Sequence, residues 1–171
     1  LRKPLRKLNN IIILTLIITF FSCNGTDNYN LGIYQARQGN QEKAIEYFSK
    51  AIEDNPEYSD AYYNRAYAQQ LIGGKENQII TDYTKSLELN PNDNEAYMNR
   101  GLIYMKMGNN EKAISDYKES IRIKPDYSIV YANLGNAYKL NSDNEKACEN
   151  WKKSLELGNE NVQLRLKLNC G

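Results

Sequence analysis

The chain has 171 residues, 41% of them apolar and 25% charged, the balance of an ordinary globular protein long enough for one domain. Its formal charge is +1, but Arg2, Lys3, Arg6 and Lys7 stand in residues 1–22 without an acid, so removing their four positive charges leaves residues 23–171 at −3. A faintly acidic body with no basic tract excludes nucleic-acid binding by phosphate neutralisation, and the lack of any histidine removes the commonest general base and metal ligand.

The basic opening runs into IIILTLIITFF at residues 11–21 and then into SCNG, the order of a secretory signal. The apolar run is too short to span a bilayer, for which a helix needs about 20 residues. Ser22-Cys23 resembles a bacterial lipobox, in which the signal is removed ahead of the cysteine and the cysteine carries the lipid; Phe20 stands where leucine is usual. Residues 1–22 are therefore expected to be a signal peptide, with Cys23 lipidated and the protein anchored at the bacterial cell envelope, facing the periplasm or the surface. Cleavage after Gly25 and secretion is the other reading. Helix one is expected to start within a few residues of Cys23, on a tether of about four residues, on the order of 14 Å when extended.

From there the chain repeats. Blocks end at Pro56, Pro91 and Pro125, with a fourth ending near Gly158 and Asn159, and the proline spacings are 35 and 34. Each block places a small residue in a first helix (Gly32, Ala66, Gly101, Gly135) and a second slot twelve or thirteen residues on (Ala44, Ile79, Ala113, Ala147). An aromatic follows (Phe48, Tyr83, Tyr117, Trp151), then another small residue (Ala51, Ser86, Ser120, Ser154). Polar or glycine turns, QGNQE, GGKEN, GNNEK and NSDNE, separate the helices, and the doubled Gly73-Gly74 accounts for the longer second block. Two amphipathic helices of about fourteen residues per period, small where helices must approach, are what a stacked solenoid needs.

This pattern resembles the tetratricopeptide repeat, in four copies over about residues 26–159. The resemblance implies an all-α, right-handed superhelical solenoid, with residues 23–159 as the repeat domain and 160–171 as a capping helix and tail. In the cap, Gly158 ends one helix and residues 160–168 begin another. Val162, Leu164, Leu166 and Leu168 alternate as a strand would, but a solenoid end needs a polar-backed cap, and Gln163, Arg165 and Lys167 are expected to supply its outer face.

The resemblance also implies a function: holding a protein or peptide segment along a groove lined by first-helix side chains. By the family's geometry Tyr63 and Tyr67 face that groove, as do Met98, Leu102 and Met105 in the next block, which lie at i, i+4 and i+7 on one helical face. The alternative for these five is packing of first helix on first helix. Asn30, Asn64, Asn99 and Asn133 occupy one slot of all four first helices, where an exposed asparagine is a poor helix former. The matching asparagines of some family members hold a bound peptide's backbone, which the resemblance implies here; simple duplication is the other explanation. The competing functional class is a structural subunit of an envelope assembly, joined through outer or end surfaces.

Chemistry has little purchase elsewhere. No phosphate-binding loop, dinucleotide glycine cluster or serine elbow is present, and paired acids such as Glu42 and Glu46 or Glu145 and Glu149 are interleaved with lysines, as on a solvated face. No enzymatic activity, metal or cofactor is expected. Most tyrosines, among them Tyr83, Tyr104, Tyr117 and Tyr138, sit on interior slots. Blocks two and three carry Arg65 and Arg100 together with Asp82 and Asp116, whereas blocks one and four have Leu31 and Leu134 with Tyr47 and Asn150, so arginine and aspartate are expected to form a within-repeat ion pair. Finally, a chain reversal near Gly158 places residue 148 opposite about residue 169, within the tolerance of helix boundaries, and predicts a disulfide between Cys148 and Cys170 in an oxidising compartment.

Overall fold

The computed structural model describes residues 25–171. The expected signal peptide and Cys23 lie outside the described residues. Helix α1 covers residues 25–37. It is followed by α2 (Gln41–Asp54), α3 (Ser59–Leu71), α4 (Glu76–Leu89), α5 (Asn94–Lys106), α6 (Asn110–Ile123), α7 (Ser128–Leu140) and α8 (Asn144–Glu156). A 3-10 turn (Glu160–Val162) and α9 (Gln163–Asn169) complete the chain. Among the described residues there are no strands, and the protein is an all-α repeat solenoid. No described helix is long and apolar enough to cross a membrane.

Two compact units divide the chain, one ending at Gly74 and the other running Lys75–Gly171. The doubled glycine marks the boundary. In the first unit, α1 lies on α2 because Gly32 has no side chain: a Cβ there would come within 2.5 Å of the Phe48 ring. Phe48 joins Ala44 and Ala68 in a buried cluster, with Tyr29, Ile33 and Ile45 packed around it.

The second unit repeats that device twice. A Cβ on Gly101 would sit 2.8 Å from the Tyr117 ring, and one on Gly135 would sit 2.5 Å from Trp151. The rings so admitted build a core with Ala113, Val130, Leu134, Ala137 and Val162. Serines close the far end of each helix pair. Ser120 Oγ donates to the Asn94 carbonyl and Ser154 Oγ to the Ser128 carbonyl, both at 2.8 Å, so that the last turn of a second helix is tied to the first turn of its own first helix. Asp93 accepts from the Glu95 and Ala96 amides at 3.0 Å, satisfying N–H groups that open α5.

The turns inside the helix pairs need a left-handed residue. Gly39, Gly73 and Gly108 supply it at φ 79°, 71° and 77°; the fourth turn has Ser142 in that conformation at φ 63°. A side chain there carries the steric cost that glycine avoids.

The cap is helical, as its place in the array implies, but its outer face differs from expectation. Val162 is fully buried and Leu166 is half-buried against the core, whereas Leu164 and Leu168 are 65% and 71% exposed. At 100° per residue, positions two apart point to opposite sides of a helix, so an alternating leucine series cannot all face inward. The outer face therefore carries two leucines beside Gln163, Arg165 and Lys167.

Candidate functional site

Among the described residues an apolar cleft lies against first helices in each unit, joined in the second by α8 and the cap. In the first unit α1, α2 and α3 enclose about 320 Å³, with Ile33, Phe48 and Leu71 as floor and wall and Asn64, Tyr67 and Arg37 at the edge. Tyr63 and Tyr67, four residues apart on α3, stack with ring centroids 6.3 Å apart and planes within 2°. Tyr67 and Leu71 remain 41% and 54% exposed. Asn64 is held rather than free: its Nδ2 donates to the Asp60 carbonyl at 2.8 Å and to Tyr29 Oη at 3.2 Å. The Tyr29 hydroxyl is pushed up to about 12, chiefly by burial and secondarily by the nearby Asp60 carboxylate and Tyr58, while the Asn64 hydrogen bond acts in the opposite direction.

The second unit's cleft, also about 320 Å³, lies where α5, α7, α8 and α9 meet. Met105, Leu140 and Trp151 form its apolar walls, with Asn136, Lys139 and Arg165 around them. Trp151 Nε1 donates to Asn136 Oδ1 at 3.1 Å, which orients that amide.

The sequence-derived site residues meet these clefts unevenly. Tyr67 and Asn64 line the first and Met105 the second. Met98, Leu102 and Met105 are half-buried and pack against the α6–α8 core, the arrangement of the packing alternative, with Met105 doing both. The four asparagines are not equivalent: Asn30 is exposed, Asn64 and Asn133 are half-buried, and Asn99 is only 5% exposed. The uniformly exposed ladder is thus corrected at Asn99, which falls on the buried stripe Ala96, Asn99, Ile103 of α5.

Arg100 answers to its expected partner. Its Nε and Nη2 each reach an Asp116 carboxylate oxygen at 2.8 Å, with the two side chains 16% and 7% exposed. Tyr97 and Tyr104 flank the guanidinium at 5.6 and 5.9 Å. A third contact went unread in the sequence: Arg100 Nη1 donates to Thr84 Oγ1 at 3.0 Å, and Arg65 Nη1 repeats it with Ser49 Oγ at 3.1 Å. Its signal was available, because blocks with the arginine follow a hydroxyl residue and Leu134 follows Lys118. Cys148 and Cys170 are brought together, sulfur to sulfur at 1.98 Å with Cα atoms 5.7 Å apart, joining α8 to the end of α9. No three His, Cys, Asp or Glu side chains converge as a metal site among the described residues.

Ile33, Arg37, Leu71, Asn136, Lys139 and Arg165 were not foreseen. Asn136 and Leu140 occupy in α7 the slots that Tyr67 and Leu71 occupy in α3, so carrying those two slots two blocks further would have found them. Arg165 comes from the cap, outside the repeat register.

Comparison with known proteins agrees with this architecture. A TPR-repeat family model matches residues 35–73 and 101–142, and a tetratricopeptide-repeat model matches residues 82–115. An uncharacterized protein of Methanocaldococcus jannaschii is 48% identical over 48 residues, 28% of this chain; the matched region spans 56% of that relative's length. The crystal structure of MamA is similar at TM-score 0.75 and 28% identity, covering 82% of this chain and 76% of MamA. YrrB, a TPR protein with an unusual peptide-binding site, is similar at TM-score 0.76 and 21% identity, covering 95% of this chain and 87% of YrrB, a likeness of fold. The chain carries tetratricopeptide repeats, folded as the all-α solenoid that such repeats build.

Proposed function

We propose that the chain is an exported, lipid-anchored module that holds a peptide or protein segment along its first-helix clefts. Tetratricopeptide-repeat proteins bind protein or peptide partners and are generally non-enzymatic. The observation that carries the reading is the first unit's cleft, where a stacked and exposed Tyr67 stands beside exposed Leu71 over an apolar floor. A rigid aromatic with an apolar neighbour anchors a partner side chain at little cost in conformational entropy. YrrB, alike in fold, has a peptide-binding site, which supports a groove of this kind. Export is supported by the basic opening, the short apolar run and Ser22-Cys23, and by a cysteine pair set for a disulfide, which suits an oxidising compartment.

The exposed Leu164 and Leu168 favour a second reading, a structural subunit joined to an envelope assembly through its end. One experiment separates the two. Partners are captured from the envelope with the full chain, and the capture is repeated with Tyr67→Ala, Leu71→Ala and Leu164→Ser. Loss of the partner with the first two, at unchanged melting temperature, is the expected result. Loss with Leu164→Ser alone would replace the groove reading with the subunit reading. Mass spectrometry of the mature N-terminus tests the anchor: the expected product begins at a lipid-modified Cys23, and an unmodified chain beginning at Thr26 would sink it.

A further inference from the structure

We infer that the second unit's cleft takes a partner segment presenting a bulky apolar side chain next to a carboxylate; the inference rests on the reading that the clefts hold a partner. The floor decides the first half. Met105, Leu140 and Trp151 line about 320 Å³, room for one large side chain or two small ones and at the low end of ligand pockets. Apolar surface of that kind suits an aliphatic or aromatic residue.

Charge decides the second half. Lys139 Nζ spends a contact on the neutral Asn144 Oδ1 at 2.9 Å, and Arg165 Nη1 on the neutral Asn161 carbonyl at 3.2 Å. Neither meets a carboxylate among the described residues, and no Asp or Glu lines the cleft. Two exposed cations at the rim of an apolar floor that no Asp or Glu lines favour a carboxylate there, with a pull that solvent moderates and salt weakens. Arginine's planar fork matches a carboxylate in two-point geometry. Asn136 adds a neutral donor, since its Oδ1 is taken by Trp151 and its Nδ2 is left to give among the described residues. Arg165 is presented from a helix whose two ends are fixed, by buried Val162 just before it and by the Cys148–Cys170 link just after it, so the partner has to order the side chain but not the backbone. The body as a whole is slightly acidic, so attraction of an acidic segment is a property of this cleft and not of the net charge.

Trp151, the chain's single tryptophan, reports from the cleft itself. The full chain is titrated to millimolar concentration with the capped peptide acetyl-Glu-Leu-Phe-Glu-amide and with its counterpart in which lysine replaces both glutamates, following tryptophan emission. The acidic peptide is expected to give a saturable change that weakens as salt rises, and the basic one to bind at least about 10-fold more weakly. Arg165→Gln and Lys139→Gln, both exposed and outside the core, should each weaken the acidic peptide by about 2- to 5-fold with melting unchanged. Equal binding of the two peptides, indifference to Arg165→Gln, or no response to either peptide would overturn the inference. If the captured partner still depends on Tyr67 and Leu71, any of those results defeats this inference alone and leaves the groove reading standing.

Discussion

Replacing Arg100 by leucine should cost about 3–5 kcal/mol, and adding Asp116→Asn to it should restore most of that loss. The magnitude follows from the burial of the pair. Asp116 is 7% exposed at its side chain, and Arg100 gives it both Nε and Nη2 at 2.8 Å. With the arginine gone, the carboxylate keeps its desolvation penalty and loses the charge that offsets it. Desolvation of the guanidinium is the largest influence on Arg100 and favours its neutral form, yet the bonds and charge of Asp116 more than reverse it and hold its pKa above the usual value. The double variant installs the combination that block four already uses, Leu134 with Asn150, so the helices should accept it at a net cost of about 1 kcal/mol or less. Urea unfolding followed by circular dichroism measures the four corners of the cycle at equal m-value, and a coupling of at least about 2 kcal/mol is expected. If the double variant is as unstable as Arg100→Leu, or if the coupling is below about 0.5 kcal/mol, the pair is not what joins α5 to α6.

Tyr117→Phe should raise stability by about 1 kcal/mol in the same assay, because the Tyr117 hydroxyl is fully buried with no hydrogen-bond partner among the described residues and block one already has Phe48 in that slot. Burial also pushes the Tyr117 pKa upward, with Asp116 adding to the effect, so the hydroxyl stays protonated through the neutral range and its ionisation should cost stability only as pH rises above the ordinary tyrosine value. Ser142→Gly should stabilise by about 0.5–1 kcal/mol through relief of its left-handed backbone, partly offset by a more flexible unfolded chain; a destabilised variant would mean that the serine side chain has an unseen use. Thiol titration of protein produced in an oxidising compartment, denatured and unreduced, should find neither Cys148 nor Cys170 free. Cys148→Ser with Cys170→Ser should lower stability by about 3 kcal/mol, as expected for opening a loop of separation 22, and two titratable thiols in the protein so produced would refute the link.

Much of the molecule is legible in one dimension because repetition lets each block test the others. Helix boundaries, the Gly32, Gly101 and Gly135 slots beneath their aromatic rings, and the Arg100–Asp116 pair all follow from comparing blocks of the same chain. The reason is local: within a repeat, contacts join residues 15 to 26 positions apart, such as Trp151 with Asn136 and Ser154 with Ser128, and recur at the same offset. The cysteine pair belongs to the same class, since a hairpin of two helices sets which residues stand opposite.

The exposure of a slot is a different matter, because it depends on what covers it, and that is decided in three dimensions. The slot of Tyr34 in α1 is filled by Ala68, Ile103 and Ala137 in later first helices; Tyr34 is 58% exposed and the other three are at most 4% exposed. Asparagines identical in sequence position range from exposed Asn30 to buried Asn99 for the same reason. The clefts are the extreme case. Arg165 reaches Trp151 and Lys139 only because α9 folds back over α8, a juxtaposition that no offset within the repeat encodes. Periodic burial of apolar side chains therefore dictated the helix pairs and their stacking from the amino-acid order alone. Which polar and cationic groups converge on a cleft awaited the packing of the cap, since convergence depends on distances across elements outside the repeat register.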